Sequence, residues 1–254
     1  MATRIIKPSY PYYRNLRNVY LIVVISLLVF LIGLTIYAYW FKPALTWLQS
    51  IVFLYACAYV LVLVTIRQRL FTTNMLMHYY RMLEEDLPLV KGKHSPYDAN
   101  FGARLKSQGF TLAMETLVYR IYYQVHHHTP YIKRTSPVII WLVIYHQHEK
   151  DAAFFLERSE QDFQFIKASI DASYKIQNEI TFWFQHIDEW QQQQKNKFQQ
   201  IINFSISNKA IISIPCAVLS NQQRFYYLRP IKQYPNKYYY AAIKYIESLI
   251  GVEN

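Results

Sequence analysis

The sequence predicts an α+β protein in two parts: a two-helix transmembrane hairpin, then one cytoplasmic α+β domain with a mainly antiparallel sheet and a long amphipathic helix. Three observations carry that expectation. Two uncharged apolar runs of 23 residues each lie close together near the start of the chain, at residues 19–41 and 44–66. Beyond them, apolar residues first alternate and then recur every three or four positions. Strand-like segments cluster instead of alternating strictly with helices, which favours α+β over a doubly wound sheet.

Each apolar run, as a helix rising about 1.5 Å per residue, spans roughly 34 Å against a hydrocarbon core of about 30 Å. A soluble core helix keeps a polar side and rarely reaches such a length, and a cleaved leader has a shorter apolar stretch with a small-residue cleavage site. Only Lys42 and Pro43 separate the runs, so the two helices form an antiparallel hairpin. Arg4, Lys7, Arg14 and Arg17 precede the first run and Arg67 and Arg69 follow the second. Cationic flanks of this kind put both termini in the cytoplasm, in a multi-pass plasma-membrane protein. Tyr20, Tyr39, Trp40, Phe41 and Trp47 sit where an interfacial aromatic belt falls. No ionisable residue lies inside either run, which leaves an ion or proton pathway without a carrier.

The predicted organisation is a basic segment at 1–18, the hairpin at 19–66, a helical stalk and loop at 67–97, and a domain at 98–254. Arg67 to Asp86 contains no Gly or Pro and continues the second helix as a stalk. Lys91 to Pro96 reads as a loop, Asp98 as the cap of a short helix over Ala99–Ser107, and Gly109 as its stop. Phe110 to Val125 alternates as a strand pair or one bent strand. Val138 to Tyr145 (VIIWLVIY) is apolar on both faces and reads as a central covered strand, with Ala152–Glu157 as a shorter companion.

Ser159 and Asp162 resemble a capping box, and Phe163, Ile166, Ile170, Ile180, Phe184 and Ile187 then follow a helical spacing, extended by Phe198 and Ile201. This is the long amphipathic helix. Phe163-x-Phe165 and Ile180-x-Phe182-x-Phe184 also alternate, which leaves a strand open for part of it. Ala210 to Leu219 reads as a strand placed at an edge or bulged, because Pro215 cannot donate to a ladder. Arg224–Leu228 is its hairpin partner, and Tyr238–Ile250 is a helix terminated by Gly251.

Composition excludes several functional classes. Hydrophobic residues make up 53% and charged residues 17%, the reverse of a disordered chain. Two cysteines cannot build a disulfide scaffold, and there is no phosphate-cradling G-x-G-x-x-G or P-loop. Nor is there an HExxH, a CxxC, a G-x-S-x-G elbow, or an acid followed two residues later by Lys. Cys57 and Cys216 sit in apolar surroundings and read as packing residues. No catalytic residue is assigned.

Two constellations remain. His126, His128, His146 and His148, with Glu149 and Asp151 nearby, have the donor chemistry of a divalent metal site in a membrane-tethered hydrolase, with Glu149 as base. Adjacent strand residues point to opposite faces, so His126, His127 and His128 cannot all converge. The other reading of these positions is two solvated turns that happen to be rich in histidine. The second constellation is a basic, tyrosine-rich patch comprising Arg224, Arg229, Lys232, Lys237, Tyr238 and Lys244. Cations among rings suit nucleic acid or an anionic lipid surface. The competing account has the tyrosines packing the sheet and the basic stems lying over them.

Of the formal charge of +11, residues 1–66 supply +5, which membrane topology explains, and the remainder supplies +6. The expected role is a non-catalytic binding or scaffold protein that recruits a protein partner to the inner membrane face, without a cofactor. Its other contacts are the bilayer itself and, optionally, a second copy of the chain. Heavy Ile and Tyr use with only five glycines fits a bacterial chain of AT-rich coding.

Overall fold

The structure, a computed structural model, describes residues 9–41, 46–85, 87–126, 137–146, 161–170, 178–191, 194–199, 202–206 and 209–252. The chain divides into two compact units, Met1–Glu85 and Asp86–Asn254.

In the first unit, α1 (Tyr10–Ile36) passes through a π-helical turn at Tyr37–Phe41, and α2 runs unbroken from Thr46 to Glu84. Pro11 lies in the first turn of α1, where a missing N–H costs nothing. The two helices are antiparallel. The Tyr10 amide donates to Glu84 Oε1 at 3.2 Å, Tyr13 stacks on Tyr80, and Phe30 meets Tyr55. At the other end Ala38, Leu48 and Val52 form a small buried cluster with Leu31 and Leu34. Thr35 and Thr65 donate their hydroxyls to carbonyls one turn back, so these two hydroxyls need no water. Both helices are long and apolar enough to cross a membrane, and their apolar side chains face outward. Phe53, Leu54, Leu61 and Val64 are each at least 67% exposed.

Helix α1 starts earlier than the apolar run, so Arg14 and Arg17 ride on helix and not on a preceding tail. Lys42 and Pro43, the expected turn, lie outside the described residues. Residues 67–84 belong to α2, one rod of 39 residues and about 58 Å.

In the second unit the elements are β1 (Val90–Lys91), α3 (Phe101–Ser107), β2 (Thr111–Glu115), β3 (Tyr119–His126), β4 (Val138–Tyr145), α4 (161–170), β5 (Asn178–His186), α5 (Lys195–Phe198), β6 (Ile202–Ile206), β7 (Lys209–Leu219), β8 (Arg224–Tyr226) and α6 (Lys237–Ile250). The strands form one sheet in the order β1-β8-β7-β5-β4-β3-β2, with β6 also paired to β7. Helix and sheet are mixed in the domain, as expected. The outer pairs are antiparallel, but the centre is not: β4 pairs with β5, and β5 with β7, in parallel.

Two layers of helix cover this sheet. On one face Ile139, Trp141 and Val143 of β4 join Tyr119 and Ile121 of β3 against Phe163, Ile166 and Ile170 of α4. On the other, Tyr245 of α6 stacks parallel to Phe182 of β5 and meets Phe110 edge-on. Every residue from Val138 to Ile144 is at most 2% exposed, which is why that run is continuously apolar.

Three expectations are corrected. The described helix here is α4 at 161–170, and residues 178–186, expected within one long amphipathic helix, form β5, the strand between β4 and β7. Its Ile180, Phe182 and Phe184 alternate inward, while Thr181 and Trp183 face α4's side. A strand covered on both faces carries apolar residues on both, and those fall at helical spacing by accident.

The sheet is mainly antiparallel, as expected: of the seven described strand pairings only β4–β5 and β5–β7, at its centre, are parallel. Pro215 lies in an interior strand, opposite Trp183 of β5. On β7's other side β6 pairs up to Ser213 and β8 pairs from Ala217, so among the described residues Pro215 falls between two partners. A missing donor is tolerated at such a position. Finally, Asp98 does not cap α3. Its carboxylate accepts from the Ser95 amide at 2.7 Å, and the helix begins at Phe101. The proposed strand at 152–157 lies outside the described residues.

Gly109 ends α3 as expected. Its φ is +89°, and the Phe110 amide donates back to Leu105 to close the turn. Helix α6 begins where Asn236 accepts from the Tyr239 amide at 2.8 Å and ends at Gly251, φ 65°.

Phe182→Ala empties a fully buried ring site in the middle of the sheet and should cost about 3–5 kcal/mol, whereas loss of the α6 cap in Asn236→Ala should cost about 1 kcal/mol. Leu117→Ala, at a position 92% exposed in the β2–β3 turn, should stay within about 0.5 kcal/mol. Denaturant unfolding of the detergent-solubilised chain, followed by tryptophan fluorescence, measures all three. Equal losses for Phe182 and Leu117 would contradict the sandwiched sheet.

Candidate functional site

The histidines are decided by strand direction. β3 and β4 are antiparallel, with His126 opposite Val138 and Tyr119 opposite Tyr145. His146 follows β4 and donates its amide to Val118 at 2.7 Å. His126 and His146 therefore lie at opposite ends of the pair, separated by about 26 Å along the strand. Consecutive antiparallel strands put their carboxyl ends at opposite edges, so the pairing of β3 with β4 does not bring His126 and His146 together as shared metal ligands. His128, His148, Glu149 and Asp151 lie outside the described residues. Among the described residues, no three His, Cys, Asp or Glu side chains converge as metal ligands.

His126 instead meets the final helix. The Tyr245 hydroxyl donates to Gln124 Oε1 at 2.6 Å and lies 3.4 Å from His126 Nε2, with the two rings edge to face. Gln124 in turn donates from Nε2 to the Gln108 carbonyl at 2.7 Å. A Cβ at Gly109 would meet that amide nitrogen at 2.9 Å, so the end of α3 closes over Gln124. These groups strap α6 to β3 and α3. Burial lowers the His126 pKa and raises that of Tyr245, so both stay neutral and serve as hydrogen-bonding groups.

The basic patch separates into interior and surface. Tyr226, Tyr227 and Tyr239 are buried, and Tyr245 packs on the sheet, so these rings are core. Lys244 is held by Glu247 at 2.7 Å. Arg224, Lys232 and Lys237 are exposed, with Lys237 over the ring of Tyr238 at 5.2 Å, and Arg229 is half-buried. The structure thus keeps the cations outside and takes most of the rings inside.

A third polar group was not visible in the sequence. At the carboxyl ends of the parallel strands, Tyr97 donates its hydroxyl to the Phe184 carbonyl at 3.3 Å and sets its ring edge-on to His186. His186 Nδ1 lies 4.0 Å from Asp188 Oδ1. Cys216 lies in β7 beside Tyr97, and burial holds its thiol well above the usual range, protonated and unreactive. Carboxyl ends of parallel strands are where open α/β sheets take ligands. An imidazole next to an exposed carboxylate is the only acid–base pair these side chains offer, since the Tyr97 hydroxyl is committed to backbone. The one signal for it, His186-x-Asp188, has meaning only once residues 178–186 are read as strand.

At the opposite end of β5, the buried Glu179 pairs with Lys167 of α4. Asn178 Oδ1 accepts from the Ala210 amide at 3.3 Å, tying β5 to β7. These contacts place α4 and set the strand register.

The unfolded chain takes up a proton on His126 near pH 6.5, and the folded chain does so only at lower pH. Between those values the unfolded state binds more protons, so stability is fully present above pH 6.5 and declines as pH falls below it. His94 and His146 shift in the same direction. His126→Gln should therefore remove part, not all, of this acid sensitivity, as read from thermal unfolding at pH values on either side of 6.5. An unchanged pH profile would show that His126 is not held neutral.

Compared with known family models, characterised proteins and solved structures, the chain gives no match, so its function has to be argued from its own residues.

Proposed function

We propose that this chain is an integral membrane protein, held by the α1–α2 hairpin, whose α+β domain acts at the cytoplasmic face as a non-catalytic binding or scaffold module for a protein partner. One observation carries the anchor: two long helices with uncharged apolar stretches at 19–41 and 46–66, whose large apolar side chains mostly point outward. In water that surface is unfavourable by about 25 cal/mol for every Å² exposed, and a bilayer removes the penalty. Helices are also a spanning structure that satisfies its own backbone polar groups, and the threonine hydroxyls bond within the helix.

Orientation rests on the cationic flanks. Arg14 and Arg17 in the first turns of α1, and Arg67 and Arg69 beyond the apolar part of α2, lie at the same end of the antiparallel hairpin. That end belongs on the cytoplasmic side. The domain has a core of its own, with Trp141, Phe182 and Phe225 fully buried, and so offers a pre-formed surface to a partner.

The chain should remain in the membrane pellet after alkaline carbonate washing, and epitopes at both termini should resist protease added outside intact cells. Leu54→Arg combined with Leu61→Arg should release it, since each Arg near a helix centre costs roughly 2.5–3.5 kcal/mol on insertion. Recovery of the unaltered chain in the carbonate supernatant would defeat the anchor, and protease access to the C-terminal epitope would reverse the orientation.

A further inference from the structure

From Arg224 to Ile246 the chain carries five basic residues and no acid. Lys244 is taken by Glu247, but Arg224, Arg229 and Lys232 enter no ion pair among the described residues. Between them Ile231, a large aliphatic side chain, is 59% exposed, next to Lys232 on the bend that leads to α6. The segment is anchored on both sides. Pro230 and Pro235 are buried, Tyr239 donates its hydroxyl to the Leu228 carbonyl, Tyr234 packs edge-on against Tyr240 at 4.8 Å, and Asn236 caps α6. The loop is therefore presented in one conformation and loses little freedom on binding.

We propose that residues 229–237 form a lipid-contacting loop, in which Ile231 enters the headgroup–acyl boundary of an anionic leaflet while Arg229, Lys232 and Lys237 meet its phosphates. An exposed aliphatic side chain with cations close to it along the chain gains from both halves of such a surface: apolar area leaves water and each cation meets negative potential. A nucleic acid would use the cations but not Ile231, and of the rings it would stack on, Tyr226, Tyr227 and Tyr239 are inside the domain while Tyr234, Tyr238 and Tyr240 are half-buried. The inference rests on the membrane anchor, because tethering keeps the domain at high local concentration beside the bilayer and makes a contact of this size effective.

The test uses the full chain in nanodiscs of phosphatidylcholine with and without phosphatidylglycerol. Ile231→Cys, in a Cys57→Ser background, carries an environment-sensitive fluorophore. The emission should shift to the blue only in the anionic discs, return toward the aqueous value at high salt, and lose the shift in Lys232→Glu and in Lys237→Glu. The latter puts an acid in the first turn of α6, which favours the helix, so loss of the shift there is not loss of fold. Incorporation into both disc types with identical emission overturns the lipid contact and leaves the anchor standing. Failure to incorporate overturns both. A shift produced by a single-stranded oligonucleotide and not by anionic lipid would replace the lipid with nucleic acid.

Discussion

The α+β domain depends on β5 being covered on both faces while paired in parallel on both edges. A strand in that position has little side left for water, so from Asn178 to Phe184 its backbone pairs with β4 and β7 and its side chains fill both helix layers. Ile180, Phe182 and Phe184 fill one layer, together with Tyr245 of α6. Trp183 serves the other, where its indole N–H donates to Ser213 at 2.6 Å and its ring neighbours Phe163 of α4. With β5 in place, α4 has its floor, β7 has its register through Asn178, and Lys167 has a carboxylate in Glu179.

The same constraint explains where polar chemistry is found. Side chains along the middle of β4, β5 and β7 are consumed by packing, so titratable groups gather at strand ends and in the segments that cross them. The Tyr97–His186–Asp188 group sits at the carboxyl ends, the His126–Gln124–Tyr245 strap at the far end of β3, and the Lys167–Glu179 pair at the start of β5. In two of the three, a hydrogen bond or ion pair joins a strand to a helix. They hold layers together as well as supplying functional groups.

The proposed anchor works by the opposite logic. Over their apolar stretches α1, the π-helical turn and α2 bury little beyond Ala38, Leu48 and Val52 and leave their larger apolar side chains facing out. One chain thus combines a unit whose apolar residues face inward with one whose apolar residues face outward, a pairing consistent with two different solvents. The excess of cations follows the same division, with part at the hairpin's ends and part on the loop before α6, where the proposed lipid contact would use it.

Much of this was readable from local pattern. The two apolar helices, the covered strand at 138–145, the stop at Gly109, and α6 with its cap and terminator follow from period, length and capping chemistry, all of which act within a few residues. The sequence by itself determined these because each depends only on neighbours along the chain. The identity of β5 was not readable, since Phe163 to Ile187 satisfies a helical period and an alternating one in different parts; only pairing with β4 and β7 chooses between them. Pro215's place in an interior strand, the separation of His126 from His146, and the burial of Tyr226, Tyr227 and Tyr239 were likewise decided by tertiary structure. Strand direction, sheet order and which face a helix covers are relations between distant segments, and no window of sequence contains both partners.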